Sequence, residues 1–81
     1  MPGPRGQVER ERAQQLLRKA RVSAGLRQAD VAARLGEPQS YVSKYESGER
    51  RLDVVELWAI LDALGMSLAE FARRLEHACE G

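Results

Sequence analysis

The chain has 81 residues, enough for one domain with one modest hydrophobic core and little stability to spare. It is 43% hydrophobic and 31% charged, a globular balance rather than that of a disordered chain, and no apolar run approaches the ~20 residues that span a bilayer. Cys79 stands alone, so no intrachain disulfide forms, no oxidising compartment is called for, and the cytoplasm is the expected location.

The net charge of +1 conceals a division. Residues 1–51 hold 11 Lys/Arg against 6 Asp/Glu, while residues 52–81 hold 2 against 6. A basic half beside an acidic half fits a nucleic-acid face backed by a solvated scaffold, although scatter also produces differences of this size.

Residues 1–7 open with two prolines and two glycines and read as a disordered arm, leaving 8–80 as a single domain. Gly25, Gly36, Gly48 and Gly65 each close an amphipathic stretch, where a helix ends most easily on a left-handed residue. The reading is therefore all-α, with five helices. The first spans about Val8 to Ala24, with Ala13, Leu16, Leu17, Ala20 and Ala24 at helical spacing. The second is short, about Gln28 to Leu35, with Val31, Ala32 and Leu35 inward. The third begins near Pro38, a residue suited to a first turn, and ends at Gly48. The fourth follows Asp53 as N-cap and carries Val54, Leu57, Trp58, Leu61 and Leu64, with Trp58 expected in the core. The fifth opens on the capping box Ser67-Leu-Ala-Glu70 and carries Leu68, Phe71, Ala72 and Leu75.

Helices two and three are joined by two or three residues around Gly36, so they must cross steeply and the third must project from the surface. At 100° per residue, Gln39, Ser40, Ser43, Lys44 and Ser47 share one side, opposite Pro38, Tyr41, Val42 and Tyr45. The polar side has amides, hydroxyls, one cation and no carboxylate. A merely solvated helix more often mixes Glu with Lys, whereas this set suits base edges on a groove floor flanked by phosphates.

The strings LRKARVSAGLRQADVAARLG (17–36) and PQSYVSKYESGERR (38–51) resemble the Cro/cI repressor-type (XRE) helix-turn-helix family, with similarity over residues 14–75. The resemblance implies a sequence-specific regulator of transcription, acting as a repressor, with the third helix in the major groove of double-stranded DNA. It implies base reading by Gln39, Ser40 and Lys44 with Ser43 nearby, and backbone contacts from Gln28, Ser47, Arg50 and Arg51. A Gln amide can address adenine and a Lys the acceptor pair of guanine. Arg50 and Arg51 follow Gly48 without an evident helical partner, which leaves them free for phosphates. The family also pairs an Arg at position 21 with a Glu at position 46, implying a partly buried ion pair between Arg21 and Glu46 that holds the first helix against the third.

Two positions depart from the family pattern. Arg27 replaces the usual capping Ser or Thr, losing a cap of ~1 kcal/mol while adding a cation beside the expected phosphate, and Asp30 partly compensates through the helix dipole. Pro38 replaces another capping hydroxyl.

His77 and Cys79 point apart at i and i+2 with no second cluster, so no metal or cofactor is expected. No catalytic constellation is visible, and Asp53, Glu56 and Asp62 read as a solvated edge, so the chain is not expected to be an enzyme. Helix four has more apolar positions than one stripe needs, Val55 among them, and with Met66 and the fifth helix this surplus suggests a self-association surface. One domain reads few base pairs, so a homodimer through the helix 4–5 region, on a palindromic operator, is the expected assembly. The alternative is a protein-binding module on the same fold, such as an antitoxin with a protein partner; helix five ending near residue 80 without a long apolar tail disfavours it.

Overall fold

The computed structural model describes residues 6–80, within which five helices and no strand are found: α1 Gln7–Ser23, α2 Gln28–Leu35, α3 Gln39–Ser47, α4 Val54–Leu64 and α5 Leu68–Glu80. The expected arm falls mostly on residues 1–5, outside the described ones, whereas Gly6 and Gln7 already belong to the start of α1. Gly6 acts as its N-cap: the Gly6 N–H donates to the Glu9 carboxylate at 2.7 Å, and its carbonyl accepts from Arg10 N.

The turn between α2 and α3 depends on a backbone that L side chains rarely adopt. Gly36 has φ +69°, its N–H donates to the Ala33 carbonyl, and the Glu37 N–H donates to the Ala32 carbonyl. This pair of bonds closes α2 and reverses the chain within two residues. Pro38 then lies in extended conformation as the N-cap of α3, its carbonyl accepting from Tyr41 N, so the helix proper starts at Gln39 rather than Pro38.

Leu17 of α1, Val31 and Ala32 of α2, Val42 and Tyr45 of α3, Ile60 and Leu61 of α4 and Phe71 of α5 form the buried cluster. All five helices contribute because none alone is long enough to bury its apolar face. The Asp53 N-cap forms as the sequence implies, its carboxylate accepting from Glu56 N, whereas Glu56, read as part of a solvated edge, closes a capping box by accepting from Asp53 N. At α5 Ser67 Oγ accepts from Glu70 N, while the Glu70 carboxylate turns outward to Arg73 and Arg74.

One core expectation is overturned. Trp58 is 61% exposed, together with Val54 and Val55, and Ile60 is fully buried in its place. Residues 57, 60, 61 and 64 form an i, i+3, i+4, i+7 stripe that packs with the cluster, and Trp58 lies about 100° round the helix from Leu57. Helix 4 carries two overlapping apolar stripes, and only one can face a core this small.

Arg21 and Glu46 bind α1 to α3. Arg21 Nε donates to Glu46 Oε2 at 2.7 Å and Arg21 Nη2 to Glu46 Oε1 at 3.1 Å, while Nη1 donates to the Leu26 carbonyl at 2.9 Å. The side chains are only 11% and 5% exposed. The guanidinium is held along both of its planar edges here, and the hydrogen bonds to Glu46 raise its pKa above the ordinary value. Removing one partner leaves the other charge desolvated and unpaired. Arg21→Ala is therefore expected to lose ~3–5 kcal/mol in urea unfolding, and the apolar double replacement Arg21→Met with Glu46→Leu to lose less. An Arg21→Ala chain that unfolds like wild type would contradict this account.

Candidate nucleic-acid interface

α3 meets the rest of the molecule through Val42 and Tyr45, both buried, and turns Gln39, Ser40, Ser43, Lys44 and Ser47 outward. All five of these are exposed, and no carboxylate lies among them. The split follows from period: 42 and 45 are i, i+3 on the core side, while 39, 40, 43, 44 and 47 fill the opposite arc. Lys44 has no ion-pair partner among the described residues, so its charge is available at the surface.

The outward face is tied to the buried pair. Gln28, at the first turn of α2, donates from Nε2 to Glu46 Oε1 at 3.1 Å and accepts from Gln39 Nε2 at 3.3 Å. A chain of bonds thus runs Arg21, Glu46, Gln28, Gln39, from the interior to the first residue of the exposed face. This bond favours one orientation of the Gln39 amide at the start of the exposed face. The link joins residues of three different helices, and no spacing in the sequence announces it.

The flanking residues are less free than their sequence context suggests. Arg27 is exposed, but its guanidinium bonds both oxygens of Asp30, and Asp30 Oδ2 also accepts from Arg27 N at 2.8 Å. Asp30 thus satisfies the backbone donor that a capping hydroxyl leaves alone, and offsets the Arg27 charge at the same time. The Ser47 hydroxyl donates to the Lys44 carbonyl and accepts from Glu49 N, closing the end of α3. Gly48, with φ +88°, follows it in a left-handed conformation that L side chains rarely adopt, and a Cβ there would also push aside the end of the Gln14 side chain.

Arg50 corrects an expectation. It has partners: Nη2 pairs with Glu56 Oε2 at 2.5 Å, and the guanidinium carbon lies 4.9 Å above the Tyr41 ring. Glu56 sits in the first turn of α4, across the loop, and therefore escapes an i,i+4 search along one helix. The Asp53 backbone N–H first, and then Arg50, hold the Glu56 carboxyl below its usual pKa. Arg51, by contrast, is exposed with no ion-pair partner among the described residues.

A short polar helix projecting on a tight glycine turn, buttressed by the helix before it and anchored by a buried ion pair, defines a helix-turn-helix domain. A helix-turn-helix family profile matches residues 17–71. The chain belongs to the XRE family of helix-turn-helix proteins, a non-enzymatic class. Its fold is similar to that of an XRE-family like protein from Pseudomonas syringae pv. tomato str. DC3000, with TM-score 0.83, 41% identity, and coverage of 88% of this chain and 87% of that one. It is also 44% identical over 46 residues to an uncharacterized HTH-type transcriptional regulator, y4dJ, of Sinorhizobium fredii (strain NBRC 101917 / NGR234). That alignment covers 57% of this chain and 60% of the relative's length. Among the described residues, no His/Cys/Asp/Glu group could hold a metal, and no helix is long and apolar enough to cross a membrane.

The cap of α2 carries a pH signature. The Arg27 guanidinium, and then its backbone N–H, hold the Asp30 carboxyl at about 2, below its ordinary value. A carboxyl depressed on folding stabilises the native state above its unfolded pKa of ~3.9, and that contribution fades as the pH falls toward the folded value. Asp30→Asn should therefore melt below wild type at neutral pH, with the Tm difference closing between about pH 4 and pH 2. A difference that stays constant across this window would show that the charge plays no part.

Proposed function

We propose that this chain is a sequence-specific regulator of transcription that binds double-stranded DNA, with α3 in the major groove and repression as its action. The observation that supports this most is the outward face of α3, exposed along its length, amide- and hydroxyl-rich and free of carboxylates. On this reading Gln39, Ser40, Ser43 and Lys44 address base edges, while Arg27, Gln28, Ser47, Arg50 and Arg51 lie against the sugar-phosphate backbone. The y4dJ relative's description as a transcriptional regulator agrees with it. The protein works in the cytoplasm, where its DNA is.

Selection of bound duplexes from a random library tests sequence preference and half-site spacing together. Gln39→Ala should relax the preference at one or two base pairs, costing ~1–3 kcal/mol on the preferred site. Arg51→Ala should weaken all sequences alike and reduce the salt slope by about 1. Binding that ignores salt, or no enrichment of any duplex, would sink the reading.

The same proposal includes a homodimer on a palindromic operator, through the helix 4–5 region. Its support is the exposed face of Val54, Val55 and Trp58 on α4, at 63%, 66% and 61% exposure, because a large apolar patch is costly to leave in water. Sedimentation with a palindromic duplex should give two chains per duplex, and Trp58→Glu should weaken the second binding event without lowering the Tm. Strict one-to-one complexes for the wild type would remove the dimer. The same patch favours a second reading, in which a protein partner covers it, as in an antitoxin; that chain would bind duplex barely at all, at any salt.

A further inference from the structure

We infer that Glu56 restrains Arg50, withholding its charge from non-specific DNA and so sharpening discrimination between sequences. The inference rests on the DNA-binding reading above. It starts from which member of the pair is fixed. Glu56 is held twice by the cap of α4: its Oε1 accepts from Asp53 N at 3.0 Å, and its own N–H donates to Asp53 Oδ1 at 2.7 Å. Its remaining oxygen takes Arg50. Arg50 has its backbone N–H bonded to the Lys44 carbonyl at 3.1 Å, but its side chain is long, 44% exposed and held at the tip by Glu56 and the Tyr41 face. The carboxylate is the anchor and the guanidinium is the part that can swing.

Non-specific binding to duplex is almost wholly electrostatic, and each cation placed on a phosphate steepens the salt dependence by about 0.9. A guanidinium already paired with a carboxylate brings no net charge to that encounter, and a phosphate has to compete with Glu56 and the Tyr41 ring for it. Arg51, one residue on and without an ion-pair partner among the described residues, carries no such restraint. In a complex on the preferred sequence, base contacts from α3 hold the loop against the backbone, where a phosphate can displace Glu56. The restraint thus falls mainly on the wrong sequences. Glu56 is the holder, Tyr41 the platform, and Arg50 the conditional contact.

The test uses the full chain, a non-specific duplex and the duplex recovered by selection, with affinities read across a sodium chloride series. Glu56→Gln keeps a carbonyl for Asp53 N but loses the charge that this N–H and Arg50 favour, so a folded chain with a modestly lower Tm is expected. Its affinity for non-specific duplex should rise about two- to fivefold at low salt, the range that an exposed ion pair allows. The slope should steepen by about 0.9, and the ratio of specific to non-specific affinity should fall. The double variant Glu56→Gln with Arg50→Ala should bind non-specific duplex like Arg50→Ala alone. A Glu56→Gln chain that gains nothing, or a double variant that gains as much as Glu56→Gln, overturns the inference and leaves the DNA reading standing. A wild type that binds no duplex overturns both. Should Glu56→Gln be unfolded at the assay temperature, the wild type itself decides. The Arg50 Nε–H resonance should stay put with non-specific duplex and shift with the selected one, and movement with both, or with neither, refutes the restraint.

Discussion

The Arg21–Glu46 pair is the constraint from which the rest of this molecule follows. A core drawn from five short helices fixes helix contacts loosely, since apolar side chains of similar volume can slide against one another. A bidentate ion pair does not slide. It requires the last turn of α1 to face the last turn of α3, and its third bond, to the Leu26 carbonyl, fixes the chain where α1 turns into α2. Once these are set, the exposed arc of α3 can point only one way. Burying two charges contributes little to net stability, but leaving either without its partner is costly, and the pair is better understood as specifying one arrangement of helices.

The same carboxylate extends that arrangement outward. Glu46 Oε1 accepts from Arg21 and from Gln28, and Gln28 in turn accepts from Gln39. Position is thereby passed from a buried charge to a surface amide through two hydrogen bonds. Ser40, Ser43 and Lys44 have no such tether, and rely on the helix backbone alone for their placement.

Much of this architecture is legible in the residues. Glycines at 25, 36, 48 and 65 mark the ends of helices because each needs positive φ, and Asp53 marks the start of α4 because its carboxylate can take an orphan N–H. The exposed face of α3 is readable because its apolar positions, 42 and 45, are few and evenly spaced. Helix 4 is not readable in the same way. With Val54, Val55, Leu57, Trp58, Ile60, Leu61 and Leu64 all apolar, periodicity permits more than one inward stripe, and the choice falls to the neighbours that pack over 57, 60 and 61. Side-chain pairs that cross a loop are equally hidden. Nothing in the spacing of Arg50 and Glu56 shows that the loop folds the one onto the other.

These pairs alter what the charge distribution means. Counted along the chain, the first 51 residues look strongly basic. Counted in space, three of the arginines around the proposed interface are already matched: Arg21 by Glu46 inside, Arg27 by Asp30 at the start of α2, and Arg50 by Glu56 across the loop. Among the described residues, the cations at that surface without an ion-pair partner include Lys44 on α3, Arg51 just beyond it, and Arg10 of α1, which lines the same cleft as Arg51. On the proposed DNA-binding reading, the matched arginines make attraction to any duplex through counterion release weaker than the sequence count suggests. On that reading, the proposed contacts beneath α3 and the proposed second copy supply the rest of the grip. On the proposed function, a moderated field and a projecting polar helix are complementary features: the first limits the time spent on wrong sequences, and the second recognises the right one.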